Sequence, residues 1–273
     1  MKKYELTEET KVVSGVTLHR IRALTPFGAV TPGTIGGWIE SEKNLSHSGN
    51  AWVYGDAMVC DNARVFGNAK VYDNARVFGH TKVYGGAQVF GNAQVYGGAW
   101  VYGDADVYDN AEVYDNAQVF GNAKVFDKAE LYGNAWVYGY AQVHGNAEVY
   151  GNTWVYGYAQ VHGKAKVFDD ADVYDNAEVY GIARVYGNAQ VYGNADIVNS
   201  THYFVVGPIG SRNGFTTFFR TKDKKIFVSC GCFKDDIQKF EDAVKEKHSG
   251  TKHEKTYLAA IELAKLKIED VSE

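Results

Sequence analysis

From Val53 to Ile197 an aliphatic residue returns at every sixth position without an insertion or deletion, giving twenty-five consecutive units. Two residues before each sits Ala, from Ala51 to Ala195, replaced only by Thr81 and Thr153. Written as A-x-V-Y-G-N, the unit alternates with period two. Ala and Val therefore share one face of a short strand, and x and the aromatic share the other. The pair that closes each unit (Gly-Asn, Asp-Asn, Gly-Gly, Gly-Asp or Asp-Asp in most) tolerates positive φ and predicts a sharp bend. Four extended residues and a two-residue corner, repeated, wind a coil whose layers stack Val on Val. No helical period fits a repeat of six with Gly or Asp in most of its units.

The aliphatic-x-x-x-small-x spacing (Val53, Val59, Val65 with Ala57, Ala63, Ala69) resembles the hexapeptide-repeat proteins. That resemblance implies a mainly β protein, a left-handed parallel β-helix with a triangular section and three units per coil of eighteen residues. Twenty-five units then make about eight coils, or ~40 Å of rod at ~4.8 Å per layer. Such a prism has room inside for Val and Ala but not for three tyrosines per layer, so the aromatics are expected to point outward. Twenty-one of the twenty-five positions after the aliphatic are Tyr or Phe, the exceptions being Cys60, His144, His162 and Val198.

The eighteen-residue turn puts His144 directly beneath His162. It also gathers Trp100, Trp136 and Trp154 on another face, the candidate interaction surface of the rod. Many hexapeptide-repeat proteins are acyltransferases that use a histidine to deprotonate the acceptor, work suited to a side chain titrating near neutrality. The resemblance thus makes His144 and His162 the alternative catalytic pair. No inserted loop interrupts the units to wall off a pocket, so the favoured expectation is that both histidines replace Tyr in a stacked ladder. Exposed aromatic ladders point to burial in a homo-oligomer, a trimer or dimer, or against a partner.

The repeat fades at both ends. Residues 1–49 carry short strand-like runs, with Ile39 and Leu45 expected in the small inward slot, and read as an N-terminal β cap. The rod itself is residues 50–198. Residues 199–273 read as a small α+β module of ββαα order, with turns at G-P-I-G, R-N-G and K-D-K-K and two amphipathic helices, KDDIQKFEDAVKEKH and HEKTYLAAIELAKLKI. Its loop GPIGSRNG can offer backbone donors and a guanidinium to an anion, which makes Ser211, Arg212, Asn213 and Arg220 the candidate ligand-binding residues. Cys230 and Cys232 are placed on one face of a strand. They are a weak metal alternative, because a tetrahedral site needs two more ligands.

Charge narrows the function classes. The chain carries a net charge of −5, and residues 50–198 hold seventeen Asp plus Glu against nine Lys plus Arg. A duplex of ~40 Å would carry about 23 phosphate charges, so the rod is too dilute to imitate DNA. It has no basic stripe to bind nucleic acid. Three cysteines argue against a disulfide framework. No apolar run reaches the length of a membrane span, and the expected compartment is the cytoplasm. The start GGWIESEKNLSHSGNAWVYG, the run of repeats and the ending IGSRN…SCGCF…YLAAIELA together resemble uncharacterised proteins of bacteriophages and prophages. The expectation is a non-catalytic binding or scaffold protein, without a cofactor. It would capture a small anionic, nucleotide-like ligand or a host protein and so counter a host defence. A phage structural or assembly component is the further alternative.

Overall fold

A computed structural model describes residues 2–268. The chain opens with an antiparallel hairpin, β1 (Tyr4–Val13) and β2 (Val16–Ala23), turning through left-handed Ser14 and Gly15. β3 (Ile35–Ile39) pairs antiparallel with β2. Twenty-five two-residue strands follow, from β4 (Trp52–Val53) to β28 (Asp196–Ile197), one per sequence unit. Every third strand pairs in parallel and in register, as in Gln94↔Glu112 and Val95↔Val113. The result is the parallel β-helix that the repeat predicts, with three faces of eighteen-residue periodicity.

The interior is Val on Val and Ala on Ala, fully buried throughout. Where Thr81 and Thr153 replace Ala, each hydroxyl donates to a backbone carbonyl three residues back, Phe78 and Tyr150 respectively, at 2.7 Å. A buried polar group is tolerated when its hydrogen bond is made. The first corner residue is left-handed whether it is Gly or Asp, for example Gly103 at φ 71° and Asp115 at φ 55°. The Asp corners also tie layers together. The carboxylates of Asp61, Asp73, Asp115, Asp127 and Asp169 each accept from a Gly N–H one coil on, at 3.0–3.2 Å. Asn side chains at the second corner position form their own ladder, Asn116 to Asn134 to Asn152. These contacts give the corner Asp residues a structural reason for their charge.

The rod is about one coil longer than the repeat count suggests. Two faces hold nine parallel strands, one of them because the cap adds β3, and the Leu45 bridge to Val65 adds a rung to the third. The cap residues also sit one slot away from expectation. Ile39 aligns with Val59 and Leu45 with Val65, twenty residues apart, so both occupy the aliphatic slot and not the small one. Two extra residues between Ser46 and Gly49 absorb the shift. Buried Tyr4 and Trp52, with Phe27, plug this end, and the Lys3 ammonium donates to the Ala51 carbonyl at 2.8 Å.

At the other end a four-stranded antiparallel meander seats on the last coil: β29 (Tyr203–Ile209), β30 (Gly214–Arg220), β31 (Ile226–Cys230) and β32 (Phe233–Asp236). Two helices, α1 (Ile237–His248) and α2 (Lys252–Ile268), pack on its outer face. The module is therefore ββββαα. Among the described residues no helix is long and apolar enough to cross a membrane.

The x positions run up each face as well, and one of them is costly. Asp172 lies between Trp154 and Gln190 on its face, and burial together with Asp170 pushes its carboxyl up to about 6. A raised carboxyl favours the protonated fold, so its contribution is present below pH 4 and lost as pH rises through 6. Asp172→Asn is expected to stabilise the protein by about 1–2 kcal/mol at pH 8 and to be near neutral at pH 4. Urea titrations at the two pH values check this. An equal effect at both would remove the electrostatic account.

Candidate functional site

The meander has two faces because successive side chains on a strand point opposite ways. On β30, Thr217 and Phe219 turn toward the rod, whereas Thr216 and Phe218 turn toward the helices. The open end of the helix-facing layer is a cleft of about 400 Å³. Two turns form one rim: Gly210–Gly214 between β29 and β30, and Cys230-Gly231-Cys232 between β31 and β32. The last turns of α1 and the first of α2 form the other.

The floor is apolar and aromatic. Phe240 on α1 is the hub, with ring centroids 5.0 Å from Phe233, 5.6 Å from Tyr257 and 6.0 Å from Phe218. Asp236 caps α1, accepting from the Lys239 N–H at 2.9 Å, so the helix begins directly where the strand stops. Lys247 and His248 fall in its last turn, where the helix dipole favours cations. His248 leans over Tyr257 at 5.6 Å. Ser211 and Arg212 reach the cleft from the opposite rim, and among the described residues no carboxylate lines it.

Cys230 and Tyr257 meet inside. The Thr216 hydroxyl donates to the Cys230 sulfur at 3.1 Å, and the thiol lies 3.7 Å from the Tyr257 hydroxyl. Burial, reinforced by that thiol, pushes Tyr257 up to about 12, so it stays a neutral hydroxyl. Left-handed Gly210 packs over this hydroxyl, and a Cβ there would collide with it. The arrangement offers an apolar bed, cationic and hydroxyl donors, and no competing acid among the described residues. That is the chemistry of a pocket for a small anion with an apolar body.

The sequence candidates divide. Ser211 and Arg212 are brought together in the cleft, and Cys230 and Cys232 line it too. Asn213 sits on the turn at φ 48° with an exposed side chain. Arg220 does not join them. It lies at the far end of β30 and pairs with Asp196 of the last coil at 2.6 Å, both side chains mostly buried, which makes it a clamp between module and rod. Cys232 does not share a strand face with Cys230, since β31 ends at Cys230 and Cys232 is exposed in the turn. Among the described residues no three metal-ligating side chains converge. Lys247 and Tyr257 escaped the sequence reading, in which His248 enters only as a metal partner for the cysteines. Lys247 continues the Ile237, Phe240, Val244 stripe, and that spacing is the signal that could have found it.

On the rod, rings stack in three ladders, Phe66 to Tyr192, Tyr72 to Tyr180 and Phe78 to Tyr186, with centroids 4.6–5.2 Å apart. Each ring covers its neighbour's face, so the ladders are half-buried and present less bare surface than their composition suggests. His144 and His162 stack at 4.8 Å between Phe126 and Tyr180. Asp127 lies 3.7 Å from His144, and burial followed by His162 pushes the His144 imidazole below its ordinary range. Trp136 and Trp154 stack at 5.5 Å, and Trp154 is 43% exposed. Trp100 is on the same face but separated from Trp136 by Gln118, and it is covered by the Lys82 ammonium at 4.1 Å.

Two stretches of this rod match the YdcK β-solenoid repeat. They are residues 87–103 and 129–145, both inside the coils. The chain is also 40% identical over 62 residues to an Escherichia coli (strain K12) protein named uncharacterized acetyltransferase YdcK. That match covers 20% of this chain and 19% of the relative, so the chain spans about a fifth of the YdcK protein's length. The likeness to the YdcK repeat agrees with the hexapeptide-type coil seen here.

Proposed function

We propose that this protein is a non-catalytic ligand-binding scaffold. A rigid rod carries a C-terminal module whose cleft captures a small anion with an apolar or aromatic body, of nucleotide-like chemistry. The observation that carries this reading is the convergence of Ser211, Arg212, Lys247 and His248 around the Phe240 floor with no acid among them. Capture without turnover suits a protein that sequesters a signal during a host defence. Binding to a rod-surface partner through Trp136 and Trp154 belongs to the same scaffold role.

The test is native mass spectrometry of protein taken directly from cells, followed by calorimetric titration with adenosine monophosphate, 3-phenylpropionate and inorganic phosphate. The two anions with a ring should bind, and phosphate alone should bind at least tenfold more weakly. A charged hydrogen bond contributes ~1.5–3 kcal/mol, so Arg212→Ala with Lys247→Ala should cost about 100-fold in affinity. A folded double variant that binds as the parent does would sink the proposal.

Acyl transfer is the second reading, supported by the name of the YdcK relative. It assigns the general base to His144 or His162. In that case acetyl-coenzyme A turnover would disappear in His144→Gln or His162→Gln and survive the Arg212 and Lys247 changes. The stacked pair, lying in an unbroken ladder wall, favours the first reading.

A further inference from the structure

We propose a second ligand site, at a missing rung of the aromatic ladders, which takes a planar heteroaromatic ring carrying both an N–H donor and a ring acceptor. The ladder from Phe78 to Tyr186 starts one layer late. Val59 pairs with Val77, which places position 60 directly beneath Phe78, and the residue there is Cys60. The other two rows carry a ring at this level, Phe66 stacked beneath Tyr84 and Tyr54 edge-on to Trp52. A cysteine is too short to cover the lower face of Phe78.

The space is real. A cleft of about 270 Å³ opens at this corner, bounded by Cys60, Asp61, Arg76 and Phe78 on the rod. Its outer wall is the β1–β2 hairpin. β2 runs antiparallel to β3 and extends past Ile39, so Val16 and Leu18 overhang the corner. The hairpin walls the slot without filling it.

The lining chooses the occupant. A ring entering at the ladder spacing would stack on Phe78 as the higher rings stack on one another, and base–aromatic stacking of this kind recurs in nucleobase recognition. The Arg76 guanidinium lies over the Phe78 ring, 5.6 Å from its centroid, and an entering ring would displace it sideways, where it can donate in the plane of that ring. One Asp61 oxygen accepts from the Gly79 N–H at 3.0 Å, and its other oxygen can accept from the ring. A donor and an acceptor side by side select a nucleobase-like ring over a plain hydrocarbon. Burial and the nearby Asp61 carboxylate push the Cys60 thiol up to about 11, so the site binds without covalent chemistry.

The experiment uses neutral bases, which the anion cleft at the other end should not hold. The full chain is titrated with adenine, cytosine and indole by saturation-transfer NMR and calorimetry. Adenine or cytosine should bind, and indole, lacking the acceptor, should bind at least tenfold more weakly. Cys60→Phe supplies the missing rung from within, so it should raise Tm and weaken base binding at least tenfold, whereas Cys60→Ser should keep it. Phe78→Leu removes the stacking face and should also weaken binding at least tenfold, which preserves the test if Cys60→Phe folds poorly. Unchanged base affinity in either ring variant would overturn the site. So would indole binding as tightly as adenine, or no binding of either base at millimolar concentration.

Discussion

Val119→Asp is expected to destroy the middle of the rod. Val119 is fully buried between Val101 and Val137 in a column of identical residues. Nothing inside the coil can answer a carboxylate, because the interior slots hold only aliphatic side chains, Ala and two Thr. An unpaired buried charge costs several kcal/mol even after relaxation, so a loss of at least about 4–5 kcal/mol is expected. Val119→Ala separates charge from volume. It removes two methyl groups from a column whose neighbours are pinned by in-register hydrogen bonds, so the hole collapses poorly and the cost should be about 2–3 kcal/mol. Urea unfolding followed by circular dichroism reads both. Because each coil touches only its neighbours, Val119→Asp should split the transition into fragments on either side of the lesion. A single transition with equal loss for Asp and Ala would show that the interior is wetter than the structure depicts.

The rod was legible because the sequence repeats one physical solution. A period of six with Val and Ala in fixed slots leaves one way to bury them, and the left-handed corners need only Gly or Asp. The ladder pairing of His144 with His162 followed by counting alone. Counting failed where the chain stops repeating. Two residues inserted between Ser46 and Gly49 moved Ile39 and Leu45 into the aliphatic slot, where they add two rungs to the rod. In the tail, Lys234, Asp235 and Asp236 read as the polar start of a helix, yet with Phe233 they form the fourth strand. Asp236 serves both, ending β32 and capping α1. The cleft proposed to hold an anion was half legible. The Gly-rich turn announced Ser211 and Arg212, since few other local patterns put donors on a permissive backbone. Lys247, His248 and Tyr257 come from two helices that only packing brings to that turn. Arg220 misled for the converse reason. Its charge looks available until the fold sets Asp196 against it, twenty-four residues away in sequence.

Phe219→Ala should loosen the module from the rod without dissolving either. Phe219 is fully buried and belongs to the rod's core, not to the module's own, with its ring edge-on to Tyr192 at 5.1 Å. Around it the junction is polar. The Gln190 N–H donates to the Thr217 hydroxyl at 3.0 Å, the Ser229 hydroxyl donates to Gln190 at 3.0 Å, and Lys234 donates to the Tyr174 hydroxyl at 2.9 Å. Part-buried hydrogen bonds of this kind each contribute only about 1 kcal/mol net, so burial of the Phe219 ring is the largest single term in the docking. Truncating a buried Phe costs about 3–5 kcal/mol. Phe218 is the control, equally buried one residue earlier but facing Phe240 in the module's own cluster. Phe218→Ala should melt the module and abolish anion capture. Phe219→Ala should leave the helices folded and the cleft competent, while proteolysis between Val198 and Tyr203 rises at least tenfold. Calorimetry should then resolve two unfolding steps in place of one. If Phe219→Ala also abolishes anion capture, the cleft depends on the rod beneath it, and the module is not an independent binding unit carried by a scaffold.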